Sequence, residues 1–299
     1  MQSCFVRTLL ALLLSLWGEA ALAQQSCTLT MNALASATNY NPFLAAFNDS
    51  SGIFSVNCTR TRGGQNRFTT TYSVRADNGL NFTTTRRLRN GAFYLNYALY
   101  RNYPTCTTAW GNTAAAGFTL NNSATGANDV TTNPNPLSGG TSYCFRITGG
   151  SSTAIPGTYT DTVQVTIFDG NGTQRGTVSV TLSTTVVPTC SVTSAPASVN
   201  LTYTSFQATA PSANSPFQLR CTNSTTFSLG FDTPVVGVND RVQGLNYNLT
   251  TSAAGGTGTG VPQNYTVTVT VPAAQAGTCT GPGGSACTGT VSRAVQVEY

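Results

Sequence analysis

Gly157-Thr158-Tyr159-Thr160-Asp161-Thr162-Val163-Gln164-Val165 recurs near the end of the chain as Gly289-Thr290-Val291-Ser292-Arg293-Ala294-Val295-Gln296-Val297. Valines recur at every second position, the period of a strand with one face in a core and the other in water. The first run turns at Asp169-Gly170-Asn171-Gly172 and continues into a further strand-like stretch, Gln174–Val187. The second run reaches Tyr299. Two more matches lie upstream. Cys27 to Cys58 and Cys190 to Cys221 are each separated by 31 positions. Leu95-Asn96-Tyr97-Ala98-Leu99 returns as Leu245-Asn246-Tyr247-Asn248-Leu249. The chain is therefore an internal repeat, and its first repeat reads as one strand longer than its second. A β-domain that lacks a strand exposes an apolar groove and an unpaired edge, and calls for a partner.

Short alternating runs rich in Thr, Val, Tyr and Phe, broken by Gly, Asn and Pro, fill the rest of the chain. Tyr265-Thr266-Val267-Thr268-Val269-Thr270-Val271 shows the alternation most strictly. The pattern predicts an all-β protein of two tandem immunoglobulin-like sandwiches, the second lacking its last strand. Strands are expected in the first repeat at Cys27–Asn32, Ile53–Thr59, Phe68–Ala76, Phe93–Tyr100, Ser142–Thr148 and Tyr159–Phe168. In the second they are expected at Ser198–Tyr203, Phe217–Cys221, Thr226–Phe231, Leu245–Thr250, Tyr265–Val271 and Val291–Tyr299.

Residues 1–23 have the form of a secretory signal: Arg7, the apolar run Leu9–Trp17, and Ala21-Leu22-Ala23 as the cleavage site. The repeats then divide the chain into 24–187 and 188–299. Removing Cys4 with the signal leaves eight of the nine cysteines, an even number in an exported chain, which reads as a disulfide framework. The repeat pairs Cys27 with Cys58 and Cys190 with Cys221. Cys106 and Cys144 form a third pair, and the neighbours Cys279 and Cys287 a fourth. A zinc site is disfavoured by the absence of CxxC spacing and of histidine.

The chain has no histidine and no lysine, which removes Ser-His-Asp, Cys-His, Ser-Lys and Schiff-base chemistry. The carboxylates show no paired motif. Asp161 reads as a buried, hydrogen-bonded carboxylate at a sandwich corner. Gly255–Gly260 resembles a phosphate loop in composition only, because it leads into a strand and not a helix. No cofactor, metal or nucleic acid is expected. Ten of the 14 arginines lie in 24–187 against five aspartates, while 188–299 has three charges of each sign. The excess reads as a solvated face, with attraction to anionic surfaces as the alternative.

Between its Leu-Asn-Tyr strand and the next strand, the first repeat inserts about Tyr103–Gly140, where the second has only Thr251–Pro262. Connectivity places this insertion at the pole away from the linker, with Arg60–Asn66 and Asp169–Gly172. Its apolar residues Tyr103, Trp110, Phe118, Leu120, Val130 and Leu137 are the candidate surface-binding residues. The competing reading is that they pack the insertion onto its own domain.

The first cysteine of each repeat, Tyr40-Asn41-Pro42, the second cysteine, Leu-Asn-Tyr, Trp110-Gly111 and the terminal Gly-Thr-Tyr-Thr-Asp-Thr-Val-Gln-Val resemble, in that order, the spore coat protein U domain family. That is the subunit fold of archaic chaperone–usher pili. The second repeat departs from the pattern with Tyr203-Thr204-Ser205, no tryptophan, and Val291 and Arg293 in place of Tyr159 and Asp161. The resemblance implies incomplete immunoglobulin-like subunits, completed first by a periplasmic chaperone and then by the N-terminal extension of the next subunit. It also implies an outer-membrane usher and assembly on the cell surface. Only Gln24, Gln25 and Ser26 stand between the signal and Cys27, less than the about five residues of a strand. The expectation is a chain that accepts a strand but donates none: a tip adhesin, with host or abiotic surfaces as targets and Val291, Val295, Val297 and Tyr299 lining the acceptor groove. A coat or shaft protein and a carbohydrate-binding lectin are the alternatives.

Overall fold

The structure is a computed structural model that describes residues 25–36, 38–60, 70–122, 129–130, 142–232, 241–278 and 288–299. Every regular element among them is a strand, as the alternating pattern requires, and no helix is long and apolar enough to cross a membrane. The first repeat holds β1 (Gln25–Met31), β2 (Leu34–Ala35), β3 (Asn48–Arg60), β4 (Thr70–Ala76), β5 (Arg86–Asn90), β6 (Phe93–Tyr100), β7 (Phe118–Asn122), β8 (Asp129–Val130), β9 (Ser142–Ile147), β10 (Gly157–Phe168) and β11 (Gln174–Val186). The second holds β12 (Cys190–Ser194), β13 (Ser212–Cys221), β14 (Thr226–Phe231), β15 (Arg241–Val242), β16 (Leu245–Asn246), β17 (Asn248–Thr251), β18 (Gly255–Thr257), β19 (Gln263–Thr270) and β20 (Val295–Glu298).

In the first repeat β3 belongs to both layers of the sandwich. Its first half, Asn48–Ile53, pairs with β9, and its second half, Phe54–Arg60, with β1. β10 and β11 form a long hairpin whose register runs from Gly157↔Val186 to Ile167↔Gly176. Asp169 closes the turn: its Oδ1 accepts from the Asn171 and Thr173 amides at 3.0 and 2.9 Å, and its Oδ2 pairs with Arg175 at 2.6 Å. Burial pushes the Asp169 carboxyl up, but the amides and Arg175 outweigh it and hold the group below its ordinary value. The enclosed core includes Phe54, Tyr72, Leu88, Phe145, Tyr159 and Ile167, each at most 1% exposed. Asp161 is buried as expected, accepting from the Tyr97 hydroxyl at 2.6 Å and from Asn81 at 3.0 and 3.2 Å. Desolvation, reinforced by that bond, raises the Tyr97 hydroxyl far above its ordinary value.

The second repeat is a smaller sandwich. One sheet runs β12-β13-β19-β17 and the other β18-β14-β20, around Phe217, Leu219, Phe227, Leu229, Tyr265 and Val267. Arg220 lies over the ring of Phe43 at 4.3 Å, and Asn223 donates to the Thr153 carbonyl at 3.1 Å, so the repeats touch beside the linker.

Three expected disulfides are present: Cys27–Cys58, Cys106–Cys144 and Cys190–Cys221. Cys27 pairs directly with Cys58 and Cys190 with Cys221 in their ladders, so the repeat extends to register. Cys279 and Cys287 lie outside the described residues, as do residues 1–23. Three strand expectations need correction. Ser198–Tyr203 belongs to no strand. Its counterpart in the first repeat, β2, draws its ladder from β11, and nothing occupies that place in the second repeat among the described residues. Val291–Tyr299 is a strand only over Val295–Glu298, the stretch that β14 pairs. Leu245–Thr250 breaks at the buried Tyr247, because β16 turns to β15 and β17 to β19.

Candidate functional site

The open side of the second repeat is best measured against the first. In the first, β11 pairs with β10 along its whole length and lies against β1, placing Val180, Leu182 and Val186 (2%, 1% and 1% exposed) over the core. Beneath it Leu29 is 6% exposed, Val163 and Val165 are 1%, and Tyr159 and Ile167 are fully buried. The matching positions of the second repeat are uncovered. Val192 is 48% exposed where Leu29 is buried, and Val291 is 41% exposed where Tyr159 is buried. Tyr299 stands 59% exposed at the place of Ile167, and Val295 and Val297 are only half-buried.

β20 pairs with β14 through Val295↔Phe231 and Val297↔Leu229 and is the last strand of its sheet. Its other edge therefore offers main-chain donors and acceptors to an added strand. Apolar side chains and an edge unpaired among the described residues together leave an open groove on this side of the second repeat. Val295 and Val297, two of the residues expected to line an acceptor groove, lie half-buried on β20. Val291 and Tyr299 flank the strand outside its ladder. Val192 was missed, although counting from the paired cysteines makes it the counterpart of Leu29 in the first repeat.

The other candidate surface is rearranged by the structure. Trp110 is 1% exposed. Its Nε1 donates to the Val74 carbonyl at 2.9 Å, and its ring stacks on Phe54 and meets Phe118 and Tyr143. Phe118 is 7% exposed and Leu120 packs half-buried on the same core. Both lie on β7, which pairs with β4 through Val74↔Phe118 and Tyr72↔Leu120. The insertion is thus partly sheet, and these three residues fasten it to the core. For Trp110 and Phe118 that corrects the assignment to surface binding, because a buried ring cannot meet a surface. Arg86 reinforces the fastening by donating to the carbonyls of Trp110, Ala76 and Asp77.

Tyr103 is exposed, at 46%. Val130 lies on β8 opposite Cys58, and Leu137 lies outside the described residues. Exposed apolar residues of the first repeat that the reading passed over include Leu44, Phe47, Ile53, Leu80 and Phe82. Ile53 was legible by parity, since Phe54 and Val56 face the core of the same strand. Phe47 and Tyr100 flank Arg146, whose guanidinium lies 4.5 and 5.4 Å from their rings and pairs with both carboxylate oxygens of Asp49 at 2.7 and 2.6 Å. Asp49 also lies near the sulfurs of Cys106 and Cys144, but these are joined to each other and offer no thiolate to a metal.

Residues 14–166 match the model of the Spore Coat Protein U domain, more than half of the chain. No curated protein matches the sequence. Among solved structures the chain is similar to the CsuC-CsuE chaperone-tip adhesion subunit pre-assembly complex from the archaic chaperone-usher Csu pili of Acinetobacter baumannii. The identity is 15% and the TM-score 0.46, over 91% of this chain and 100% of that one. It is also similar to the CupB6 tip adhesin from Pseudomonas aeruginosa, at 8% identity and TM-score 0.36, over 84% and 88% of the two chains.

Proposed function

The chain belongs to the Spore Coat Protein U domain family, and on that premise we propose that it is the tip adhesin of an archaic chaperone–usher pilus. The two repeats divide the work. Residues 24–187 form the adhesive domain, and residues 188–299 the domain that joins the fibre by accepting a strand. The observation that carries this reading is the contrast between the repeats. β11 closes the first groove, whereas the second exposes Val192 and the outer edge of β20.

An added strand would pair with β20 and place its alternate apolar side chains against Val192, Val295 and Val297. A periplasmic chaperone supplies that strand first. At an outer-membrane usher the N-terminal segment of the neighbouring subunit replaces it, and the protein is carried to the cell surface. Adhesion falls to the exposed part of the first repeat, with Tyr103 and the insertion that Trp110 and Arg86 hold in place. No catalytic role is proposed, and Asp161 is explained by its hydrogen bonds.

Co-expression of tagged single repeats with the pilus chaperone of the source cell tests the division of labour. The second repeat should co-purify with the chaperone and the first should not. Capture of the first repeat alone would refute the reading. Gold-labelled antibody against the first repeat should mark fibre ends, and uniform labelling along the shaft would refute the tip position.

A further inference from the structure

On the outer face of the first repeat, β5 and β6 set four polar side chains side by side. Arg87 and Arg89 flank the buried Leu88 of β5, and Tyr94 and Asn96 alternate with the buried Leu95 and Tyr97 of β6, so all four point away from the core. The register places Arg87 opposite Asn96 and Arg89 opposite Tyr94. The Arg87 guanidinium lies over the Tyr94 ring at 4.1 Å and donates through Nε to the Asn81 carbonyl at 3.0 Å. Arg89 donates through Nε to the Gly91 carbonyl at 2.6 Å. Both side chains are thus held in place, while among the described residues their terminal nitrogens have no hydrogen-bond partner. β5, β6 and β9 carry no carboxylate, and Asp49, next to them on β3, is matched by Arg146. On its other side β5 meets Thr160, a neutral residue, opposite Arg89. Two fixed positive charges on this face are therefore left without a counter-charge from the strands around them.

Tyr94 and Asn96 also line a cleft of about 320 Å³, whose remaining lining is residues 148–153. Small-molecule sites span roughly 300–1,000 Å³. The lining is polar. Among the described residues the hydroxyls of Thr148, Ser151, Ser152 and Thr153 make no hydrogen bond, and the Asn96 side chain uses only its oxygen, which accepts from Thr85 at 3.3 Å. The backbone behind those hydroxyls is pinned. The Thr148 amide donates to the Asn96 carbonyl at 3.0 Å, the Gly150 amide to the Leu44 carbonyl at 2.8 Å, and the Ser151 amide to the Tyr40 hydroxyl at 3.2 Å. A Cβ at Gly149 would collide with the carbonyl oxygens of Ala45 and Ala46, so this loop lies directly on the backbone beneath it. Asn223 of the second repeat holds the Thr153 carbonyl. The cleft is formed in advance, and a ligand need not order it.

We propose that this cleft binds an anionic oligosaccharide, with sugar hydroxyls against Asn96 and residues 148–153 and an acidic group of the sugar against Arg87 and Arg89. Hydroxyl and amide groups that both donate and accept match the hydroxyls of a sugar ring. A guanidinium with free terminal nitrogens matches a carboxylate or sulfate, which it can hold through two parallel bonds. The two halves of the site adjoin, because each arginine stands opposite a cleft residue in the ladder. DNA fits this arrangement less well. Its binding draws on many phosphate contacts, and its backbone has no hydroxyl to meet the cleft. A flat anionic membrane would meet the arginines and leave the cleft unfilled. The site uses none of the residues assigned to strand acceptance or to surface attachment, and it stands or falls apart from both.

Calorimetric titration of the full chain tests this with a galacturonate hexamer, which carries carboxylates, a heparin-derived hexasaccharide, which carries sulfates, and the neutral maltohexaose. At least one acidic sugar should bind, and which one does identifies the acidic group. Maltohexaose should bind at least about tenfold more weakly, the cost of losing a charge-assisted hydrogen bond. Added salt should weaken the acidic sugar. Amide hydrogen exchange should slow at residues 148–153 on binding. Arg87→Gln and Arg89→Gln should each weaken binding by about tenfold, whereas Arg75→Gln, on β4, should leave it unchanged. Arg89 and Asn96 are exposed, so Arg89→Gln and Asn96→Asp remain informative even if Arg87→Gln disturbs folding. Asn96→Asp puts a negative charge opposite Arg87 and should abolish binding of the acidic sugar at an unchanged Tm. Failure of both acidic sugars to bind overturns the proposal, as does equal affinity for maltohexaose. An equal loss with Arg75→Gln, or equally tight binding of a DNA duplex, reduces the effect to general charge attraction and overturns it too. Unchanged exchange at residues 148–153 removes the cleft from the site and overturns it likewise.

Discussion

Replacing Leu182 with alanine measures how far the first repeat depends on its own closing strand. Leu182 is 1% exposed and lies between Asp161 in the hairpin register and Leu34 in the parallel ladder. Both neighbouring strands are fixed by their own pairing, so the site cannot collapse freely around the lost side chain. Leucine-to-alanine changes at such positions destabilise by about 2–5 kcal/mol. For a unit of this size each kcal/mol lowers Tm by about 2–4 °C, which gives a fall of about 4–20 °C. Calorimetry of the full chain reads it, because each repeat has its own hydrophobic cluster and should melt as its own transition. Val192→Ala provides the contrast, being 48% exposed on the uncovered strand of the other repeat. It should stay within about 0.5 kcal/mol of the parent. A loss below about 1 kcal/mol for Leu182→Ala, or equal losses at the two positions, would refute the view that one groove is filled and the other empty.

Trp110→Ala should destabilise the first repeat by about 3–5 kcal/mol, read in urea, because the ring fills the core beneath the insertion; an unchanged midpoint would return Trp110 to the list of surface residues. Tyr103→Ser should weaken attachment to a hydrophobic surface in a retention assay while Tm stays within about 1 °C, and unaltered retention would remove Tyr103 from the adhesive face. The Asp169 carboxyl is held below its ordinary value, so its contribution is complete above the unfolded value of about 3.9 and is lost as pH falls through the lower folded value. Melting should therefore fall more steeply below about pH 4 for the parent than for Asp169→Asn, and parallel profiles would refute that linkage. Replacing both Cys190 and Cys221 with serine should cost the second repeat about 3–4 kcal/mol, from a loop of 31 residues in the chain-entropy model, and non-reducing peptide mapping should show no link between the repeats.

The sandwich class, the three described disulfides and the long strands were legible because period-two alternation and equal cysteine spacing survive in the sequence itself. β10 and β19 are the clearest cases. β5 was not legible, since Arg86-Arg87-Leu88-Arg89-Asn90 has one apolar residue in five. Its arginines are absorbed by the fold: Arg86 bonds to backbone carbonyls, and Arg87 lies over the Tyr94 ring at 4.1 Å. Trp110 and Phe118 read as surface residues because a long insertion looks like a loop until its pairing partner β4 is known. Ser198–Tyr203 errs the other way: the pattern is that of a strand, but a strand needs a neighbour. The open groove itself was legible, because it follows from comparing two copies of one pattern.

The position of β11 also decides how the first repeat would carry load. The linker leaves directly from its end at Val186, and the strand lies lengthwise between β10 and the β2 segment. A pull on the linker is therefore directed along β11 and tends to slide it past both neighbours. Sliding strains many ladder bonds at once, whereas peeling a strand from its end breaks them singly. Survival under force is governed by the unfolding barrier and not by equilibrium stability. A fold closed by a strand held in shear on both sides is built to resist a pull at the joint where the first repeat is tethered to the second.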